Sequence, residues 1–132
     1  MENFPLKKET YDIIGFCMEV QKKLGFGFSE IVYKDAMEIE FLSAPLPYIR
    51  EAGLHVLYKG RLLKHKFFAD FMCFEKIIVE VKATDTGING SHIYQTLNYL
   101  HASGNTIGLI INFGKRKLEY KRLISSHVES LY

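Results

Sequence analysis

A chain of 132 residues, 48% of them apolar, can bury one sizeable core, and it reads as a single domain over residues 1–132. Its 17 basic and 15 acidic residues leave a formal charge of +2, too little to announce a nucleic-acid partner without clustering. Cys17 and Cys73 lack the paired spacing of a zinc site or a disulfide framework, the first residues carry no signal-type segment, and no apolar run approaches the ~20 residues that span a bilayer; this suits a cytoplasmic protein without a membrane partner.

Thr10 is placed to cap a first helix, in which Ile13, Cys17, Val20 and Leu24 share a face and which Gly25 can end. A second helix is expected from Ser29 to about Ser43, with Ile31, Ala36, Ile39 and Phe41 among its apolar residues and Pro45 and Pro47 closing it. Beyond the prolines the pattern turns β-branched and aromatic. His55 to Tyr58, Leu63 to Phe74 and Ile77 to Lys82, punctuated by Lys59-Gly60 and Glu75-Lys76, predict three antiparallel strands. Residues 83–90 read as a loop and 91–103 as a third helix. The run TIGLIINF at 106–113 is a buried strand, with 118–124 pairing back across the basic tip at 114–117. The sum is an α/β sandwich, a mixed central sheet flanked by helices.

Charge interrupts two of these buried runs. FFADFMCF carries Asp70 alone, and IIVEVKA carries Glu80 and Lys82 two apart, which places them on one face of a strand. A charge inside such a run needs a partner, an ion or a cleft. Two carboxylates on adjacent strands, with the backbone carbonyl of Val81, suit a hard cation such as Mg²⁺. Lys82 then stands where it can position or help deprotonate an attacking water and offset charge on a phosphoryl group. The alternative is an ordinary ion pair at a strand end, with Asp70 a solvated edge residue.

This arrangement sets a register condition. A two-residue turn at Glu75-Lys76 would put Asp70 opposite Val81, so that Asp70 and Glu80 faced opposite sides of the sheet. The two converge only if the connection has an odd number of residues, such as 74–76, or if one strand bulges.

The motifs G-x-x-E-x-x-Y (Gly27, Glu30, Tyr33), Asp70 after Ala69, E-x-K (Glu80, Lys82) and H-x-x-Q-x-x-x-Y (His92, Gln95, Tyr99), with Tyr58-Lys59-Gly60 and GLIINFGKRKLEYKRLI, occur in order from about Thr10 to Ile124. On these residues the chain closely resembles the GxxExxY protein family, a branch of the PD-(D/E)xK nuclease superfamily. The resemblance implies a restriction-endonuclease-like sandwich and a Mg²⁺-dependent nuclease, with Mn²⁺ also admitted. It implies that the positions of Asp70 and Glu80 hold the metal, that Glu30 completes the acidic cluster, and that Lys82 assists the water. Gln95 and Tyr99 resemble the QxxxY element of helicase-coupled exonucleases and share one helix face. Glu30 in a first helical turn also suits the helix dipole, Tyr33 also suits a core with a satisfied hydroxyl, and His92 reads as structural. Phe68 stands where relatives often carry arginine, and Glu51 where they often carry glutamine. The implied partner is nucleic acid, DNA in the first place, reached with a protein partner or as a homodimer. The other function class is a catalytically weak or inactive nucleic-acid-binding or protein-interaction module on the same fold.

Overall fold

A computed structural model describes residues 5–125. The first helix, α1 (Lys7–Leu24), turns Ile13, Ile14, Cys17 and Val20 inward, and Gly25 ends it at φ 72°, a backbone that favours glycine. It starts one turn before the expected cap. Leu6 is the N-cap, and Thr10 is a buried residue of the helix whose hydroxyl donates to the Lys7 carbonyl. The second helix, α2 (Glu30–Ser43), buries Tyr33, Lys34, Met37 and Phe41 and leaves Ile31 and Ile39 exposed.

Five strands form one sheet in sequence order: β1 (Tyr48–Tyr58), β2 (Arg61–Cys73), β3 (Ile77–Lys82), β4 (Ile107–Asn112) and β5 (Glu119–Ile124), with α3 (Gly90–Ser103) between β3 and β4. Only β3 and β4 run parallel, as a connection through a helix requires, so the sheet is mixed. β3 and β4 are its centre: Ile77 to Val81 and Ile107 to Asn112 are buried without a break. α1 and α2 cover one face, where Tyr33, Met37 and Phe41 pack with Phe71, Val79, Val81, Leu109 and Phe113. α3 covers the other, with Leu100 against Ile78, Ile110, Leu54 and Ala69.

β1 begins at Tyr48, seven residues before the expected start. Arg50, Glu51 and Gly53 hide its opening half, because they break the apolar alternation that marks a strand. β1 and β2 pair from Tyr48↔Cys73 to Tyr58↔Arg61, with a bulge between His55 and Leu57. β2 meets β3 only through Phe71↔Val79, Met72↔Ile78 and Cys73↔Ile77. The outer half of the β1–β2 hairpin therefore leaves the sheet as a two-stranded arm, exposed from Arg61 to Phe68 along β2.

Candidate active site

The register condition is met by the odd connection. Cys73 pairs with Ile77, so Phe74, Glu75 and Lys76 form a three-residue turn, with Phe74 and Glu75 at φ 56° and 61°. Continued one step past Phe71↔Val79, this register sets Asp70 across from Glu80, where the two strands part. The carboxylates replace the missing ladder bonds. Glu80 Oε2 accepts from the Asp70 backbone N–H at 2.9 Å, and Asp70 Oδ2 accepts from the Val81 N–H at 2.7 Å. Each acid thus satisfies a strand amide that would otherwise be orphaned.

Glu80 is 4% exposed, and burial, with the charge of Asp70 beside it, pushes its carboxyl up to about 8. The Asp70 amide, Lys82 and Lys34 act in the opposite direction and do not cancel that burial.

Lys34 is the member of the cluster that periodicity could not find. It lies one helical turn after Glu30 on α2, is nearly buried, and donates to Asp70 Oδ1 at 2.9 Å and to Glu51 Oε2. Burial alone would lower its pKa, but the two carboxylates hold it above the ordinary lysine value and keep it charged. Glu51 reaches it from a left-handed backbone at φ 55°, a conformation worth roughly 1 kcal/mol or more in a non-glycine residue. Lys34 brings a cation to Asp70 from the helix. A lysine among helical polar residues carries no sequence signal of burial; the nearest hint was Glu51 as an unexplained departure.

Glu30 opens α2 and is exposed; no hydrogen bond or ion pair joins it to Asp70 or Glu80 among the described residues. Its charge and that of Lys82 both act on His92. The loop before Glu30 is pinned by Tyr33, whose hydroxyl donates to the Gly25 carbonyl at 2.7 Å and accepts from the Phe28 N–H at 3.4 Å. The Tyr33 ring stacks on Phe113 at 4.4 Å, and Gly27 takes φ 112° between. In G-x-x-E-x-x-Y, the tyrosine and glycine therefore hold the loop that leads into Glu30. His92 is structural at one nitrogen: Asn89 Oδ1 accepts from its backbone N–H, and its Nδ1 accepts from the Asn89 N–H, a reciprocal cap on α3.

Gln95 and Tyr99 line a cleft of about 850 Å³ between α3 and the hairpin arm, with Phe67 and Tyr94 on its walls. Burial and the charges of Glu80 and Asp70 raise the Tyr99 hydroxyl above its ordinary range, so this cleft and the carboxylates share one field. At the end of β4, Asn112 accepts from the Thr84 and Gly114 amides and donates to the Thr84 carbonyl and Glu119, tying the loop after Lys82 to the strand beside it.

Among the described residues no three His, Cys, Asp or Glu side chains stand together as a ready-made metal cage. Asp70 and Glu80 nonetheless offer a pair of hard oxygen donors, and Mg²⁺ is commonly held by one or two carboxylates plus its waters and substrate phosphates. The donor chemistry fits such an ion.

A mixed five-stranded sheet between helices is a restriction-endonuclease-like architecture. Residues 7–123 match the PD-(D/E)XK nuclease superfamily, and the chain belongs to it. The fold is similar to the crystal structure of SSO0001, with a TM-score of 0.56 at 16% identity over 76% of this chain. The chain spans 57% of the length of SSO0001. No curated protein matches the chain.

Proposed function

We propose that this chain is a divalent-metal-dependent nuclease of the GxxExxY branch, acting on DNA with Mg²⁺ or Mn²⁺ and working in the cytoplasm as a single domain. The observation that carries the reading is the parting of β2 and β3 at Asp70 and Glu80, which gathers two carboxylates where strand amides alone would otherwise face an apolar core. Asp70 and Glu80 are the residues assigned to hold the ion, with the Val81 carbonyl and Glu30 completing its surroundings. A bound divalent cation supplies Lewis-acid polarisation of the phosphoryl oxygen and of water.

The remaining chemistry belongs to the chain. Lys82, two residues along β3 from Glu80, is assigned to orient the attacking water and to offset charge that grows on the phosphoryl oxygens. Lys34 fixes the orientation of Asp70 through the ion pair between them. Gln95 and Tyr99 are assigned to hold the substrate backbone beside the acids. Two buried free thiols, Cys17 and Cys73, support a reducing compartment. A protein partner or a homodimer is expected to bring the site to its substrate.

The test is calorimetric titration of Mg²⁺ and then Mn²⁺ into the wild type and the Asp70→Asn, Glu80→Gln double variant, followed by cleavage assays on labelled oligonucleotides. The amides keep the shapes of the acids, so both proteins should melt cooperatively. Binding and metal-dependent cleavage should vanish in the double variant, and Lys82→Ala should lose cleavage by at least about a hundredfold while still binding metal. A wild type that binds no divalent ion, even with an oligonucleotide present, would leave a binding module on a nuclease fold.

A further inference from the structure

The hairpin arm and α3 enclose the 850 Å³ cleft, and their compositions are lopsided. Residues 55–68, HVLYKGRLLKHKFF, contain Lys59, Arg61, Lys64 and Lys66 and no acidic residue. Residues 90–103 of α3 contain no acid either. Both walls of the cleft are thus free of negative charge, and Asp70 and Glu80 stand outside its lining but near enough for their charges to act on Tyr99. On these walls large rings stand in solvent: Tyr94 is 72% exposed and Phe67 about half exposed.

The faces of the arm sort these groups further. Alternation along β2 puts Arg61, His65 and Phe67 on one face, which is the face that Phe67 turns to the Tyr99 ring at a centroid distance of 5.4 Å. Lys64, Lys66 and Phe68 take the other, where the Lys66 ammonium lies over the Phe68 ring. The cleft therefore has aromatic walls and amide and hydroxyl groups from Gln95, Asn98 and Ser91, and Arg61 follows outside it on the Phe67 face of the arm.

We infer that this cleft binds single-stranded nucleic acid, with unpaired bases stacked on Tyr94 and on the Phe67–Tyr99 pair and the phosphate backbone drawn along the Arg61 side of the arm toward the carboxylates. The inference rests on the nuclease reading and names the substrate form that its site accepts. Exposed rings beside an acid-free basic ribbon are what a single strand needs, since every base has a face to stack and every nucleotide a charge to neutralise. A duplex keeps its bases stacked on one another and offers these rings nothing to receive. A cleft of this volume is the size of a small-ligand pocket, matched to a few splayed nucleotides and too confined for a double helix.

Fluorescence anisotropy tests this with labelled single strands of DNA and of RNA and with the matching DNA duplex, all in chelator so that nothing is cleaved. The single strands should bind more tightly than the duplex, and the DNA and RNA arms decide which sugar the cleft prefers. Tyr94→Ala, at an exposed position that the fold does not use, should weaken single-strand binding about five- to a hundredfold. Arg61→Gln should lower the slope of log affinity against log salt by about 0.7. Equal or tighter binding of the duplex, or a Tyr94→Ala variant that binds like the wild type, overturns the inference. So does wild-type self-association that Tyr94→Ala abolishes while single-strand binding stays unchanged. Duplex cleavage with Mg²⁺ that Tyr94→Ala leaves untouched would sink this inference alone, whereas a protein that neither binds nor cleaves any of these strands sinks the nuclease reading with it.

Discussion

Glu80 ties the pH dependence of this protein to its candidate site. Its carboxyl is pushed from 4.5 to about 8 by burial and by Asp70, with Lys82 and Lys34 as the opposing cations. The unfolded chain loses this proton near the lower value and the folded chain near the higher one. The protonated carboxyl therefore contributes stability that is full below about 4.5 and is lost as pH rises through about 8. His92, whose pKa is depressed, sheds only its remaining unfolded-state protons above about pH 6.5, a small effect of opposite sign, and the buried thiols do not titrate until higher pH. Metal-free protein should accordingly melt at a lower temperature at about pH 8.5 than at about pH 6.5, and Glu80→Gln should flatten that slope. A wild-type melting temperature that rises over this interval would show that the carboxyl is ionised throughout. At this scale the sequence was legible where charge stood inside an apolar run, which is how Asp70, Glu80 and Lys82 are visible. It was silent on Lys34, because a helical lysine has the same local pattern whether its ammonium meets water or two carboxylates.

Among the elements, the loop after β3 shows how little local pattern has to do with close approach. Gly114 lies against Thr84, and a Cβ built on it would sit 2.3 Å from the Thr84 nitrogen and 2.4 Å from its carbonyl carbon. The Asn112 amide stitches the same two segments together and holds the chain that follows Lys82. Gly114→Ala must force backbone from backbone, and in urea unfolding it should cost on the order of 3 kcal/mol and blunt whatever activity Lys82 supports. Gly15 is the matched opposite: it lies exposed within α1 with nothing within 4 Å of an added Cβ, so Gly15→Ala should stabilise by about 0.5–1 kcal/mol. Equal effects at the two positions would show that the segments at Thr84 and Gly114 do not touch. Element types were legible because apolar periodicity reports burial: α1, α2, α3 and the late strand pair follow from it, whereas the odd turn was legible only as one of two ways, with a bulge, to bring Asp70 and Glu80 together. The first half of β1 was not, since Arg50 spends its side chain on Asp35 and Glu38 of α2, and Glu51 on Lys34, contacts that look from the sequence like loop polarity.

In the whole molecule, stability and recognition are assigned to different ends of one sheet. β3 and β4 are buried on both faces and carry the packing of all three helices, while the arm beyond Leu54 and Ala69 is a ribbon of two strands with most of its side chains in water. A two-stranded ribbon is marginal by itself, so the arm depends on the contact of Phe67 with Tyr99 and on its root in the sheet. Hydrogen exchange should separate the two regions. Amides of Ile77 to Val81 and Ile107 to Ile111 should exchange only through global unfolding, whereas ladder amides from Leu57 to Lys66 should exchange by local opening at a lower free energy. An oligonucleotide held in the cleft should then slow exchange in the arm and in β3 and β4 alike, because local opening of the arm and global unfolding both expel it. Uniform protection across both regions in the free protein would mean that the arm folds as one unit with the core, and its aromatic wall would then be a fixed part of the sandwich.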